Sequence, residues 1–136
     1  MKESLRLHPL AARAAARECM ESTTLGNIKI DKGVQVAADV YTIHYSEEIW
    51  GPDAHVFNPD RWLTEDKRHP MAWLPFGAGP RTCIGMRFAY LEEKNFLISC
   101  LKKFNIVRSA NTPDKLKLQG ALVVAPEDVK VKFELR

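Results

Sequence analysis

From Gly85 to Phe104 the apolar residues Phe88, Ala89, Leu91, Phe96, Leu97, Ile98, Cys100, Leu101 and Phe104 recur at helical spacing, with Arg87, Glu92, Glu93, Lys94, Lys102 and Lys103 between them. The pattern predicts one long helix. Its apolar stripe is broad, which implies burial on most sides, in a body larger than the rest of the chain supplies. Elsewhere the period changes to two. Ile28-Lys29-Ile30 and Val34-Gln35-Val36 alternate around Asp31-Lys32-Gly33 and predict a β-hairpin. Leu116-Lys117-Leu118-Gln119 and Val129 to Leu135 alternate as well, with breaks at Gly120 and Pro126, and predict strands of a small antiparallel sheet.

The remaining segments are shorter. Lys2 to Leu7 reads as the end of a helix stopped by Pro9, with Glu3 and Arg6 one turn apart. A helix below ~12–15 residues is marginal alone, so the chain is expected to start partway through an element. Ala11 to Glu21 fits a helix by composition and a strand by position, and both stay open. Val40 to Trp50 fits a short helix. Gly51-Pro52-Asp53 and Asn58-Pro59-Asp60-Arg61 punctuate a long meandering loop of the kind that is usually functional. The fold class expected is mainly α with small antiparallel β-sheets, an α+β arrangement.

Composition narrows the function. With 136 residues, 46% of them hydrophobic, the chain is sized for one domain or part of one. A net charge of +3 from 20 basic and 17 acidic residues, without dense Lys/Arg blocks, argues against a nucleic-acid partner. Three cysteines, at 19, 83 and 100, with no Cys-x-x-Cys pair disfavour a disulfide framework and a zinc ribbon. No apolar run nears the ~20 residues of a membrane span, and Met1-Lys2-Glu3-Ser4-Leu5-Arg6 lacks the apolar core of a signal peptide.

Chemistry concentrates in Leu74-Pro75-Phe76-Gly77-Ala78-Gly79-Pro80-Arg81-Thr82-Cys83-Ile84-Gly85. Prolines stiffen this loop, and Gly77 and Gly79 permit tight turns. Cys83 is placed at the start of the long helix, where unpaired N–H groups and the positive dipole end favour a thiolate. Such a thiolate is a metal ligand or a nucleophile. A nucleophile wants a histidine base, and the nearest in sequence, His69, lies on the far side of the loop. Arg81 offers a charged partner to a flat anionic cofactor. Gly85 lets a ligand approach the sulfur, and Phe76 is placed to cover one side of it. The combination points towards haem.

The run Phe76-x-x-Gly79-x-Arg81-x-Cys83-x-Gly85 resembles the haem-binding signature of the cytochrome P-450 superfamily, with a chance of matching on the order of a few in ten million per start position. Glu3-Ser4-Leu5-Arg6 resembles that family's Glu-x-x-Arg helix motif. Asn58-Pro59-Asp60-Arg61-Trp62 resembles the segment whose arginine completes the motif's ion network. Gly85-Met86-Arg87-Phe88-Ala89 and Leu7-His8-Pro9 look most like the microsomal class that includes drug-metabolising enzymes and thromboxane synthase. The likeness runs over residues 1–136 and corresponds to the C-terminal, haem-binding part of the family's fold.

The resemblance implies roles. Cys83 would be the proximal thiolate on the iron of haem b, pushing electron density that favours O–O cleavage. Arg81, with Arg13 and Arg17, would pair the haem propionates, and Phe76 and Gly85 would flank the ligand. Glu3, Arg6 and Arg61 would form a buried network that folds the pocket. Leu10, Ala11 and Ala12, with Ala121 and Leu122, would line an apolar substrate cavity. The whole enzyme would insert one oxygen atom of dioxygen into an apolar small molecule, with electrons from an NADPH-dependent reductase, at the cytosolic face of the endoplasmic reticulum. By the same resemblance, the family's membrane anchor and oxygen-activating helix are expected to lie outside these residues. Glu21-Ser22-Thr23-Thr24 mimics the acid-threonine pair of that helix but follows the Glu-x-x-Arg motif and lacks its glycine turn. The chain alone is therefore expected to have little or no turnover. Two other readings stand beside this one: a truncated haem-binding or interaction module without a catalytic role, and a thiol enzyme with Cys83 as nucleophile. His8, His44, His55 and His69 have no metal-ligand spacing, and Cys19 and Cys100 read as core residues.

Overall fold

Helix α1 (Lys2–Leu7) carries Glu3 in its first turn and Arg6 in its last, each at the end where the helix dipole favours its charge. The chain leaves the helix at His8, whose N–H still donates to the Ser4 carbonyl at 2.8 Å. The computed structural model describes residues 1–13, 16–64 and 68–136. They divide into two units, Met1–Gly77 with Ala121–Val124, and Ala78–Gly120 with Ala125–Arg136.

In the first unit, the segment left open between helix and strand contains β1 (Ala16–Glu18); Ala14 and Ala15 lie outside the described residues. Strands β2 (Thr23–Leu25), β3 (Ile28–Ile30) and β4 (Gln35–Ala37) follow. The expected pairing of Ile28–Ile30 with Val34–Val36 is not what forms. β3 pairs antiparallel with β2, Leu25 opposite Ile28, and β4 pairs with β1, Arg17 opposite Val36. The reason lies in the turns. Gly26, at φ 59°, heads a two-residue reversal that folds β3 back onto β2. Gly33, at φ 86°, bends the chain away so that its N–H donates to the Cys19 carbonyl at 2.7 Å.

The segment 40–50 is two helices, not one. In α2 (Val40–Tyr45) the Asp39 carboxylate caps the start, accepting the Thr42 N–H at 3.0 Å and the Thr42 hydroxyl at 2.8 Å. Ser46 is extended, at ψ 119°, and its carbonyl accepts from Ile49 and Trp50 to begin α3 (Glu47–Trp50). The core forms below these helices: Trp50, Ala54 and Ala72 are buried, with Ile49, Trp62 and Trp73 packed against them. Single 3₁₀ turns at Pro59–Trp62 and Pro70–Ala72 each open on proline, which suits a first helical position.

The second unit holds α4 (Met86–Leu101), the long helix, followed by β5 (Phe104–Arg108). Phe104 belongs to the strand, because the helix stops at Lys102 and the β-branched Ile106-Val107 favour extension. The expectation that α4 is buried on most sides is not met within this chain. None of its residues is buried, and Phe88 is 68% exposed.

The C-terminal strands also pair otherwise than expected. β6 (Leu118–Gln119) joins β7 (Ala125–Pro126), while β8 (Val131–Leu135) joins β5 over five residue pairs. Gly120, at φ 110°, turns the chain towards β7. The segment after α4 offers β8 a longer partner, with Phe104 and Phe133 in edge contact at 5.8 Å.

Candidate functional site

Three charged side chains are taken out of water in the first unit: Glu3 at 1% exposure, Arg6 at 0% and Arg61 at 8%. Burial at this level is costly unless every polar atom finds a partner. Arg6 spends all five of its N–H donors. Nε and Nη2 grip the Glu3 carboxylate at 3.0 and 2.8 Å, Nη1 donates to the carbonyls of His44 and Ala54 at 2.7 Å each, and Nη2 also donates to Val56 at 3.3 Å. Arg61 reaches the same carboxylate through Nε at 2.9 Å, across 58 residues of chain, and donates through Nη2 to Asp53 Oδ2 at 2.9 Å. The Trp62 indole and the Asn58 N–H complete the shell of Glu3 at 2.9 and 3.1 Å. Two guanidinium groups thus meet two carboxylates, and charge balances.

The electrostatics follow. Burial works to raise the Glu3 carboxyl, and donors from Arg6, the Asn58 N–H, Trp62 and Arg61 outweigh it, bringing it down to about 2. Asp53 is lowered by hydrogen bonds from Asn58 and Arg61. Glu3 is therefore an ionised carboxylate held between the Arg6 and Arg61 guanidinium groups. Asp53, Asn58 and Trp62 join them although the sequence reading placed them only in turns or in a quoted motif.

His44 is the other participant that reading missed. It is fully buried, on the same face of α2 as Val40 four residues earlier, and that spacing was the available signal. The Leu74 N–H donates to its Nε2 at 2.8 Å, so the proton resides on Nδ1, which donates to the Arg6 carbonyl at 3.0 Å. Burial first, and then the Arg6 charge, lower the imidazole to about 4 against the opposing pull of the Arg6 carbonyl. It is neutral at physiological pH.

The cysteine loop is shaped by backbone. Gly77, at φ 69°, donates its N–H to the Leu74 carbonyl at 3.1 Å, and Gly79, at φ 72°, opens a 3₁₀ turn over Gly79–Arg81. Thr82 closes that turn, its N–H and hydroxyl both donating to the Gly79 carbonyl. Cys83 is a free, exposed thiol whose carbonyl accepts the Met86 N–H at 3.3 Å, two residues before Gly85 caps α4. A Cβ on Gly85 would stand 3.8 Å from Sγ, so glycine leaves that flank of the sulfur open. Among the described residues no three His, Cys, Asp or Glu side chains form a metal cage. Ligation of a metal here would rest on one thiolate.

The other expected residues are dispersed. Arg81 is exposed within this loop, in the second unit. Phe76 is half-buried, and Arg13 and Arg17 are exposed, in the first unit; Arg17 donates to its neighbour's carbonyl at 2.7 Å. The two segments expected to line a cavity do meet, since Val124 N–H donates to the Leu10 carbonyl at 2.6 Å. Leu10 and Leu122 remain exposed, at 49% and 68%.

Helices joined to small antiparallel ladders, a buried carboxylate between two arginines and an exposed thiol at a helix start describe an α+β protein whose cysteine is available for ligation. The cytochrome P450 family model matches residues 1–133, and the chain belongs to that family. It is similar to Caenorhabditis elegans proteins that carry cytochrome P450 names: cyp-13B1, 46% identical over all of this chain, CYP13A3, also 46%, and CYP13A2, 44%. The chain spans 27%, 26% and 27% of their respective lengths. No described helix is long and apolar enough to cross a membrane.

Proposed function

We propose that the chain is the C-terminal, haem-binding portion of a haem-thiolate monooxygenase, with Cys83 as the proximal ligand. The observation that carries this is the thiol itself: Sγ is exposed at the foot of α4, with the Cβ-less Gly85 beside it. These residues fit the group. Backbone N–H groups near the start of α4 would temper the donation of a bound sulfur to iron. Arg81, exposed in the same unit, is suited to a haem carboxylate. Phe76, Arg13 and Arg17 are the further contacts proposed. Haem b, when bound, supplies dioxygen activation and insertion of one oxygen atom into the substrate.

The buried network takes no part in that chemistry. Glu3, Arg6 and Arg61 hold α1, the Pro59–Trp62 turn and the carbonyls of the 44–56 segment in one arrangement, and so fold the unit from which the cysteine loop emerges. Leu10, Ala11, Ala12, Ala121 and Leu122 are proposed to face an apolar small molecule, since the Leu10–Val124 hydrogen bond joins their segments. Dioxygen, an NADPH-dependent reductase and the endoplasmic reticulum membrane are the partners and place proposed for the whole enzyme. For the chain alone little turnover is expected, because the apolar residues of α4 lie open to water.

The test is the absorption spectrum of the chain mixed with haem, reduced and exposed to carbon monoxide, beside Cys83→Ser. A strongly red-shifted Soret band found only with Cys83 supports thiolate ligation. The same histidine-like or free-haem spectrum in both would overturn it.

A further inference from the structure

His44 links two features that lie far apart in sequence. One ring nitrogen donates to the carbonyl of Arg6, whose guanidinium returns a hydrogen bond to the His44 carbonyl at 2.7 Å. The other accepts the N–H of Leu74, the residue at which the cysteine loop begins. Both backbone groups of Leu74 are thereby held, since its carbonyl accepts the Gly77 N–H that closes the loop's first turn. Leu74 is itself buried, so no water is at hand to take the place of a lost acceptor.

We propose that His44 is a positioning residue for the Leu74–Gly77 start of the cysteine loop, fastening Leu74 to the Glu3–Arg6–Arg61 network through a proton held on Nδ1 and a lone pair on Nε2. The role toward Cys83 rests on the haem-ligand reading above. The anchoring of Leu74 does not. Neither methionine nor leucine can take this place, because the position requires a donor facing Arg6 and an acceptor facing Leu74 on one rigid ring. Two amides separate the two nitrogens: glutamine extends an amide oxygen to about the reach of Nε2, while asparagine places an amide N–H near Nδ1 and falls short of Leu74.

The experiment compares wild type, His44→Gln and His44→Asn by amide hydrogen exchange on the chain without haem, and by the carbon monoxide spectrum after haem addition. In His44→Asn the Leu74 and Gly77 amides are expected to exchange about tenfold faster, the scale of one lost hydrogen bond in a buried place, while α1 keeps its protection. His44→Gln is expected to keep Leu74 protected and to keep the wild-type share of red-shifted Soret band, which falls in His44→Asn. Equal exchange at Leu74 in both variants, the reverse order, or a uniform loss of protection through α1 and α2 in both would overturn the proposal and leave His44 a core filler. A wild-type chain without the red-shifted band would overturn the haem-ligand reading alone, since the exchange data still decide the anchoring of Leu74.

Discussion

Arg61 Nε donates to Glu3 Oε1 at 2.9 Å, joining residues 58 positions apart through a carboxylate that is 1% exposed. The same oxygen accepts from Arg6 and from the Asn58 backbone, so one buried atom fixes α1, the meander and the Pro59–Trp62 turn together. Removing a single partner strands a charge without water.

Glu3→Gln and Arg6→Met are accordingly expected to cost ~3–5 kcal/mol each, read as a lowered urea midpoint, because each leaves an opposite charge buried and uncompensated. Asp53→Asn is expected to cost much less, since the Asp53 side chain is 42% exposed and water replaces what Arg61 loses. Equal losses for all three would contradict this ranking.

The pH dependence has two windows. His44 is lowered from 6.5 to about 4 in the folded chain, so between those values the unfolded state binds the extra proton and stability falls as pH falls. Glu3 is lowered from 4.5 to about 2, and its contribution, complete above 4.5, is lost as pH drops towards 2. Urea midpoints across a pH series check both. His44→Gln should abolish the upper slope and keep the lower one; an unchanged upper slope would assign it to other groups.

Cys83 is exposed, whereas Cys19 and Cys100 are partly covered. Limited treatment with iodoacetamide, followed by peptide mass spectrometry, is expected to label Cys83 first. Prior addition of haem is expected to suppress that labelling, and Cys83→Ser to leave the urea midpoint unchanged. Labelling of Cys83 that haem does not slow would count against ligation.

Gly77 and Gly79 hold positive φ with nothing within 4 Å of an added Cβ. The penalty for alanine there is therefore backbone strain alone, roughly 1–2 kcal/mol at each site. Asparagine, which tolerates this region better, should recover part of it. A thermal melt of the four variants decides between strain and crowding, since crowding would make asparagine the worse of the two.

Much of this was legible along the chain. The spacing of Glu3 and Arg6, the helical period after Gly85 and the crowding of glycine and proline around Cys83 are local properties, and each element they predicted is present. Arg61 was legible only through family likeness, because no local rule pairs residues 58 apart. Along the chain Asp53 is turn punctuation and His44 a histidine without metal-ligand spacing. Their partners, Arg61 and the Leu74 N–H, come from other segments and become visible only when those segments fold together.

The sequence by itself determined which segments extend and which coil, because backbone preference and side-chain period act over a few neighbours. It determined also that a thiol stands at a helix start behind two glycines that permit tight turns. Tertiary structure decided the partners. Strands with the same alternation were free to pair in several ways, and the turns at Gly26, Gly33 and Gly120 selected β2 for β3, β1 for β4 and β7 for β6. It also made a charge balance out of Glu3, Arg6, Asp53 and Arg61, and gave His44 its single protonated nitrogen. Burial removes water as an alternative partner, so each polar group must take whatever atom the fold brings within reach.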